Sequence, residues 1–148
     1  MKAKKLLVPT DFSPSSDEAL KLATVLARDT GASLLIVHVE MIPLTTGGGD
    51  FLYTIPEPST QELKEKLDEV VPHDASVLAV HRLLAGDPAE VIVKVAEEEE
   101  VDFIVMGTHG RRGLTRLLMG SVAEVVVRRA HCPVITLKQP VAAATATK

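Results

Sequence analysis

Five short apolar segments alternate with segments of helical periodicity, and this alternation constrains the fold more than any other feature of the chain. The apolar segments are Lys5–Val8, Ser33–Val39, Ser76–Leu84, Asp102–Met106 and Val134–Leu137. They are continuous runs, which are typical of strands buried on both faces of a parallel sheet. Strands that alternate with helices predict an α/β fold with an open, five-stranded parallel sheet, four helices and right-handed crossovers.

Three of the intervening segments carry apolar residues at positions i, i+3, i+4 and i+7, or at the related spacing i, i+4, i+7 and i+8. Such stripes predict amphipathic helices that pack one face on the sheet. The stripe residues are Ala19, Leu22, Ala23 and Leu26; Leu63, Leu67, Val70 and Val71; and Ala89, Ile92, Val93 and Ala96.

Residues that favour helix N-termini stand before all four predicted helices. A serine or aspartate N-cap followed by proline, or followed three residues later by glutamate, marks a helix start. The predicted caps are Ser13 before Pro14, Ser59 with Glu62, Asp87 before Pro88 and with Glu90, and Ser121 with Glu124.

The chain of 148 residues is long enough for one domain that buries its own core. We assign residues 1–138 to this domain and expect the aperiodic residues 139–148 to form a flexible tail. The connection at 41–59 contains three consecutive glycines and three prolines. Its composition predicts a mobile surface loop, and a lid over a ligand is the alternative.

Charge and cysteine content exclude several classes of protein. The net charge of −4 argues against a general nucleic-acid binder, which needs a basic surface. Cys132 is the single cysteine, so an intramolecular disulfide is impossible and a reducing compartment fits. The apolar runs are too short to span a membrane, and proline and aspartate interrupt the first one where a signal peptide would continue. We therefore expect a cytoplasmic protein that binds no membrane.

The stretch from Met106 to Val126 gathers four of the nine glycines and three arginines of an acidic chain. It contains the pattern Gly107-x2-Gly110-x9-Gly120-Ser121. Glycine lets a backbone approach a ligand closely, and a helix N-terminus offers unpaired N–H groups to an anion. Five arginines and one glutamate lie between residues 107 and 131, which gives a local charge of +4. Glycine turn, helix start and positive charge together indicate a phosphate site.

A purely structural interpretation of this stretch stays open, because glycine loops before capped helices are common. Arg128 and Arg129 would in that case simply suit a helix C-terminus. The phosphate loop of the large NTPase class and the G-x-G-x-x-G dinucleotide fingerprint are both absent from the sequence.

Asp11 follows the first predicted strand, at the edge where ligands bind in parallel α/β sheets. Its carboxylate is suited to accept hydrogen bonds from ribose hydroxyls. A turn residue that favours the start of the next helix is an equally supported interpretation.

The histidines do not suggest a metal site. His38 and His81 lie within apolar runs and are expected to be packed or hydrogen-bonded, and His131 lacks the spaced partners of a zinc site. His109 either contacts a ligand or faces solvent. No nucleophile with an adjacent base is recognisable, so we name no catalytic residue.

These motifs resemble the universal stress protein family. The resemblance includes the glycine pattern, "VPTDFS" after the first strand, "IVHV" in the second, "GDPAEVI" entering the third helix, and the C-terminal third from "DFIVMGTHGRR" onward. It covers nearly the whole chain and is loosest between Met41 and Ser76. It implies a Rossmann-like fold of the adenine nucleotide alpha-hydrolase type with sheet order 3-2-1-4-5, and ATP binding, because members with the complete signature bind ATP.

The resemblance also implies a set of site residues. Pro9, Asp11 and Val39 would surround the adenine and ribose. The ribose and phosphates would be lined by Gly107, His109, Gly110, Arg111, Gly120, Ser121 and Val122, and the neighbouring residues Thr10, Met106, Arg112 and Gly113 complete the predicted site. Mg²⁺ could accompany ATP, without a protein cage of its own. Members commonly dimerise through the last strand, here Val134–Leu137, which would cover an apolar edge.

The resulting hypothesis is an ATP-binding stress or signalling module whose nucleotide state alters its dimer or its partners. The enzyme alternative is slow ATP hydrolysis or phosphotransfer at the same loop. A phospho-receiver domain is excluded because the third strand ends in "LLAG", without an aspartate. A flavodoxin-like carrier is disfavoured because the loop after the first strand lacks glycine.

Overall fold

The structure is a computed structural model, and it describes residues 3–41, 58–108 and 120–138. Strands and helices alternate along these segments. In chain order the elements are β1 (Lys5–Pro9), α1 (Pro14–Thr30), β2 (Ser33–Glu40), α2 (Thr60–Asp68), β3 (Ala79–Ala85), α3 (Pro88–Glu98), β4 (Phe103–Gly107), α4 (Ser121–Arg129) and β5 (Val134–Leu137).

The five strands form one parallel sheet in the order β3-β2-β1-β4-β5. This confirms the predicted fold class and strand order. The chain first builds outward from β1 to β3, then returns to the other side of β1 with β4. The strand order therefore reverses between β1 and β4, which are neighbours in the sheet.

Helices cover both faces of the sheet because successive strand residues point to opposite sides. In β1, Leu6 and Val8 pack in a cluster with residues of α1 and α2. Leu7 between them packs with residues of α3 and α4. All three leucine and valine side chains are fully buried, as the continuous apolar runs predicted.

Three helix starts agree with the predicted caps. The hydroxyl of Ser13 accepts a hydrogen bond from the main-chain N–H of Ser16 at 3.2 Å. Ser59 and Glu62 form both bonds of a capping box, and the carboxylate of Asp87 accepts from the N–H of Glu90 at 3.1 Å. These starts were predictable because the side chain of each cap accepts from the first turn of its own helix.

The predicted cap of α4 is wrong. Ser121 is the first helical residue, and the N-cap is Gly120, whose carbonyl accepts from the N–H of Glu124. The serine and glutamate therefore lie one position too late to form a capping box. Glycine tolerates the N-cap position but has no side chain with which to satisfy the first-turn N–H groups.

Several strand ends differ from the prediction by one residue, and two other differences are larger. The third strand begins at Ala79 rather than Ser76, because the carboxylate of Asp74 accepts from the N–H and hydroxyl of Ser76 and holds a turn there. Helix α2 ends at Asp68, so Val71 lies beyond it and is 54% exposed instead of completing the apolar stripe.

The connection at 41–59 is described only at its ends, and the segment 139–148 lies outside the described residues. The loop, the tail and the domain boundary at residue 138 thus stay predictions. Among the helices that the structure describes, none has the length and apolar character needed to cross a bilayer.

Candidate functional site

The candidate site lies at the carboxyl edge of the sheet, where β1 and β4 end side by side. Helix α1 leaves β1 toward one face of the sheet, and α4 follows β4 on the other face. Ligands of parallel α/β proteins bind in the crevice that such a reversal of strand order creates. Two groups of predicted site residues lie at these strand ends: Pro9 to Asp11, and Met106 to Gly107.

The turn after β1 is held by hydrogen bonds to β2. The N–H of Thr10 donates to the carbonyl of Val37 at 2.8 Å. The Nδ1 of His38 lies 2.7 Å from the carbonyl of Thr10, an acceptor, so this nitrogen carries the proton. The expectation that His38 is hydrogen-bonded is confirmed, and its role is to fix the main chain beside Asp11.

Asp11 holds the following helix start in place. Its Oδ1 accepts a hydrogen bond from the N–H of Ser13, the N-cap of α1, at 3.0 Å. The turn interpretation of Asp11 is therefore confirmed. Contact with a ribose stays a prediction, and the two roles are compatible because a carboxylate has two oxygens and several acceptor sites.

Phe12 adopts a left-handed backbone conformation, with φ of +66°. This conformation is unusual for a bulky residue and marks strain, which concentrates at functional sites. The surrounding packing holds it: the ring lies 4.5 Å from the ring of His38, and the amine of Lys66 lies 4.5 Å above it. Sequence reasoning missed this residue because nothing local requires a positive φ there.

Four buried hydroxyl residues surround the same turn: Thr10, Ser13, Ser15 and Ser16. The hydroxyl of Thr10 accepts from the N–H of Phe12 at 3.0 Å and lies 3.1 Å from that of Ser16. Ser16 in turn donates to the carbonyl of Ser13 at 2.8 Å. The network ties the strand end to the first turn of α1. Of these four, the sequence predicted Ser13 as a helix cap and Thr10 as a site residue because it follows the first strand.

At the end of β4, Gly107 lies directly against the first turn of α1. A Cβ added there would overlap the hydroxyl of Ser15 and come within 2.9 Å of its carbonyl carbon and oxygen. Packing alone therefore requires glycine at this position, whatever approaches it from the ligand side. Met106, the preceding predicted site residue, is buried in the sheet.

Thr108 links β4 to both neighbouring elements. Its N–H and its hydroxyl donate to the carbonyl of Leu137, at 3.2 and 2.9 Å. Its own carbonyl accepts from the N–H of Gly120, the N-cap of α4. Thr108 thus places the helix start beside the end of β4, a role that the sequence did not reveal.

The N-terminus of α4 has the character of an anion site. Because Gly120 has no side chain, the N–H groups of Val122 and Ala123 have no N-cap side chain to which they can donate. Ser121 is exposed and Val122 half-buried. Unpaired N–H groups and the positive end of the helix dipole attract phosphate or carboxylate oxygens.

The positive charge of this region divides into two parts. Arg128 and Arg129 lie in the last turn of α4, about 12 Å from its N-terminus at 1.5 Å per residue, where Arg128 pairs with Glu124 at 2.9 Å. They suit the helix C-terminus and lie away from the predicted phosphates. Arg111 and Arg112, with His109, Gly110 and Gly113, lie outside the described residues.

The remaining predicted residue, Val39, lies near the carboxyl end of β2 and is 8% exposed. It packs in the cluster that also contains α3 and α4. His81, like His38, is hydrogen-bonded as expected, with its Nε2 2.6 Å from the carbonyl of Val70. In the described part of the chain, no three histidine, cysteine or acidic residues lie close enough together to hold a metal ion.

Two shallow cavities of about 100 and 150 Å³ lie at the opposite edge of the sheet. Lys5, Arg82 and Glu99 line the first, and Arg28, Gly31 and Ser76 belong to the second. Both are smaller than the roughly 300 Å³ at which ligand pockets usually begin. The geometry of helix starts and glycines, not cavity size, thus identifies the carboxyl edge as the candidate site.

A parallel α/β domain with a strained turn and an uncapped helix start at its strand-order reversal is typical of nucleotide-binding proteins. Residues 2–138 match the model of the Universal stress protein family, and the chain belongs to this family.

Relatives in sequence and solved structures resemble this chain over nearly its whole length. Universal stress protein MJ0531 of Methanocaldococcus jannaschii is 37% identical over 142 residues, which cover 93% of this chain and 83% of the relative. The solved structure of MJ0577 from the same organism has a TM-score of 0.69 and 29% identity, and covers 94% of this chain and 98% of its own. The universal stress protein of Archaeoglobus fulgidus in complex with dAMP has a TM-score of 0.63 and 28% identity, with 92% and 98% coverage.

Proposed function

We propose that this universal stress protein binds ATP at the carboxyl edge of its sheet, in the crevice between the β1–α1 turn and the start of α4. The observation that carries the proposal is the uncapped N-terminus of α4, which hydrogen-bonds through Gly120 to the strand end at Thr108. A phosphate there would receive main-chain N–H groups and the helix dipole. The complex of the A. fulgidus relative with dAMP supports an adenine nucleotide as the ligand.

The turn after β1 would bind the nucleoside in this proposal. Pro9, Thr10 and Val39 contribute main chain and apolar surface to the adenine, and the carboxylate of Asp11 accepts from a ribose hydroxyl. The phosphates would contact the glycine stretch and the helix start. That group comprises Met106, Gly107, His109, Gly110, Arg111, Arg112, Gly113, Gly120, Ser121 and Val122.

The described residues are better suited to bind a phosphate group than to catalyse its transfer. Fast phosphoryl transfer needs a metal-holding carboxylate and a group that positions the attacking water. Asp11, the carboxylate of the β1–α1 turn, accepts from Ser13 and, in this proposal, from the ribose, so it is not assigned to a metal ion. We therefore expect ATP to be held with Mg²⁺ on its phosphates and hydrolysed slowly at most, so that the bound nucleotide acts as a signal.

The signal would pass through the edge strand β5. In the described part of the sheet β5 pairs with β4 alone, and its four residues are only half-buried. An edge strand with apolar side chains is stabilised when a second copy pairs with it. We propose a homodimer through Val134–Leu137 that acts in the cytoplasm, where the single cysteine would stay reduced.

The first experiment is to denature freshly purified protein, identify any released nucleotide by chromatography, and titrate emptied protein with ATP by calorimetry. We expect an adenine nucleotide in the supernatant, or binding of one ATP per chain. Folded protein that releases no nucleotide and shows no binding heat would overturn the proposal. Incubation of the complex with Mg²⁺ then measures conversion to ADP, and turnover of about 1 s⁻¹ or more would identify an enzyme instead.

A further inference from the structure

The hydroxyl of Ser15 is an unusual group in this structure. Ser15 is 4% exposed, and among the described residues its Oγ is the buried side-chain oxygen or nitrogen for which no hydrogen-bond partner is found. Buried polar groups without partners cost stability and are rare in folded proteins, so each one needs an explanation. The neighbouring hydroxyls of Thr10, Ser13 and Ser16 all have partners.

Packing explains only part of this arrangement. The Oγ of Ser15 fills the space that the missing side chain of Gly107 leaves between α1 and β4. Alanine would leave a space of about one atom there, but it would also leave no unpaired buried oxygen. The unpaired serine hydroxyl therefore lowers the stability of the unliganded protein. A hydrogen bond to a ligand would remove this destabilisation.

The position of Ser15 suggests what that contact is. Ser15 is the second residue of α1, a helix of 17 residues, and belongs to the turn whose N–H groups have no partners within the helix. Gly107, which it touches, is followed by Thr108, whose carbonyl binds the N-cap of α4. The N-termini of α1 and α4 thus converge on two consecutive residues from opposite faces of the sheet, and both dipoles favour an anion there.

We propose that Ser15 is a phosphate-binding residue: its hydroxyl donates a hydrogen bond to a phosphate oxygen of the nucleotide that lies against Gly107. The phosphates are then held between two helix starts, with Ser15 as the contact from α1. This inference rests on the proposed nucleotide binding and adds to it a residue on the far side of the crevice from the glycine signature.

The test compares Ser15→Ala with the wild type by calorimetric titration with ATP, AMP and adenosine, alongside thermal unfolding. Thr24→Ala is the matched control. Thr24 is a buried hydroxyl on the same helix whose Oγ1 donates to the carbonyl of Leu20 at 2.7 Å and accepts from the N–H of His73. Ser15→Ala should unfold near the wild-type temperature, because deletion of an unpaired buried oxygen offsets the small space that it leaves. Thr24→Ala should unfold at a lower temperature.

The expected result is an ATP affinity about tenfold lower in Ser15→Ala, as for loss of a hydrogen bond to a charged group, with adenosine affinity unchanged. Thr24→Ala should bind ATP like the wild type. An unchanged ATP affinity in folded Ser15→Ala would overturn the inference and leave the proposed function standing. Equal weakening of ATP and adenosine would also overturn it, since the effect would then come from the turn that carries Asp11. A wild type that binds none of the three ligands would instead overturn the proposed function itself.

Discussion

At the scale of single residues, Asp11 combines a structural bond with the proposed ligand contact. Its Oδ1 accepts from the N–H of Ser13, and Asp87 makes the equivalent kind of bond to Glu90 at the start of α3. Both carboxylates follow parallel strands, but Asp87 follows the edge strand β3 and lies away from the reversal between β1 and β4. Substitution of each aspartate in turn therefore distinguishes a loss of helix-start stability from a loss of nucleotide binding.

We predict that Asp11→Ala lowers ATP affinity by roughly 10- to 100-fold, because a charged acceptor of a ribose hydroxyl is lost. Asp87→Ala should cost about 1 kcal/mol of stability through its N-cap and leave ATP affinity unchanged. Titration calorimetry and urea unfolding of both variants measure the two effects. If Asp11→Ala weakens binding of inorganic phosphate as much as binding of ATP, Asp11 acts only through the turn.

At the scale of elements, the contact between β4 and α1 determines where the first turn of α1 lies. Gly107 allows the main chain of Ser15 to approach so closely that any side chain would displace the helix. Because the first turn of α1 is bonded to Thr10 through Ser16, such a displacement would reach the turn after β1. We therefore expect the end of β4, the first turn of α1 and the turn after β1 to be displaced together.

Gly107→Ala should therefore destabilise the protein by about 1–3 kcal/mol, the usual cost of overpacking, and also weaken ATP binding. Gly31→Ala is the control, because Gly31 caps the other end of α1 with φ of +79° and open space around it. That variant should lose stability through backbone strain while keeping its affinity. Urea unfolding with ATP titration distinguishes them. Wild-type affinity in Gly107→Ala would show that the first turn of α1 does not shape the site.

The elements also show what the sequence could and could not predict. The starts of α1, α2 and α3 were predictable because the side chains of Ser13, Ser59 and Asp87 each accept from a residue three positions away. The start of α4 was misassigned by one residue because Gly120 and Ser121 are adjacent, and both residue types are common at the N-cap. Within the candidate site, the sequence predicted the position of Asp11 in the turn after β1 and of Gly107 at the end of β4, and their contact with a nucleotide stays a prediction. The roles of Ser15 and Phe12 were not, because they depend on neighbours that only the folded chain brings together.

At the scale of the whole molecule, hydrogen-bonded carboxylates connect the amino-terminal edge of the sheet and make stability depend on pH. The N–H groups of Lys4 and Lys5 donate to Asp102 at 2.7 and 3.0 Å and lower the pKa of its carboxyl below the usual 3.8. A hydrogen bond from the Lys5 amine likewise lowers the pKa of Glu99. Since these pKa values are lower in the folded state, their stabilisation is present above about pH 4–5 and is lost as pH falls through the folded-state values.

Asp102→Ala should therefore lower the free energy of unfolding at pH 7 by less than about 1 kcal/mol, since solvent screens this partly exposed carboxylate, and flatten its decline between about pH 5 and pH 2. The measurement is urea unfolding at several pH values in that range. Asp68→Ala, at the exposed end of α2, serves as the control and should retain the wild-type pH dependence. Parallel curves for Asp102→Ala and the wild type would show that Asp102 does not contribute to acid sensitivity.

The proposed dimer can be tested through the unpaired side of β5. The N–H of Ile104 donates to the carbonyl of Pro133, and that of Thr108 to the carbonyl of Leu137. In a parallel ladder alternate residues face the same neighbour, so residues 133, 135 and 137 face β4, and the main chains of Val134 and Thr136 point outward. Proline on an edge strand is tolerated where its missing N–H would face away from the sheet.

We predict that Thr136→Pro removes an outward donor, keeps the pairing of β4 with β5, and shifts the protein from dimer to monomer. Thr136→Val is the matched control because it keeps the N–H and the β-branched shape, and it should remain dimeric. Sedimentation of both variants with and without ATP measures assembly, and thermal unfolding verifies that each is folded. A folded Thr136→Pro dimer would place the interface elsewhere. A wild-type dimer whose dissociation constant ATP leaves unchanged would mean that the nucleotide acts on a different partner.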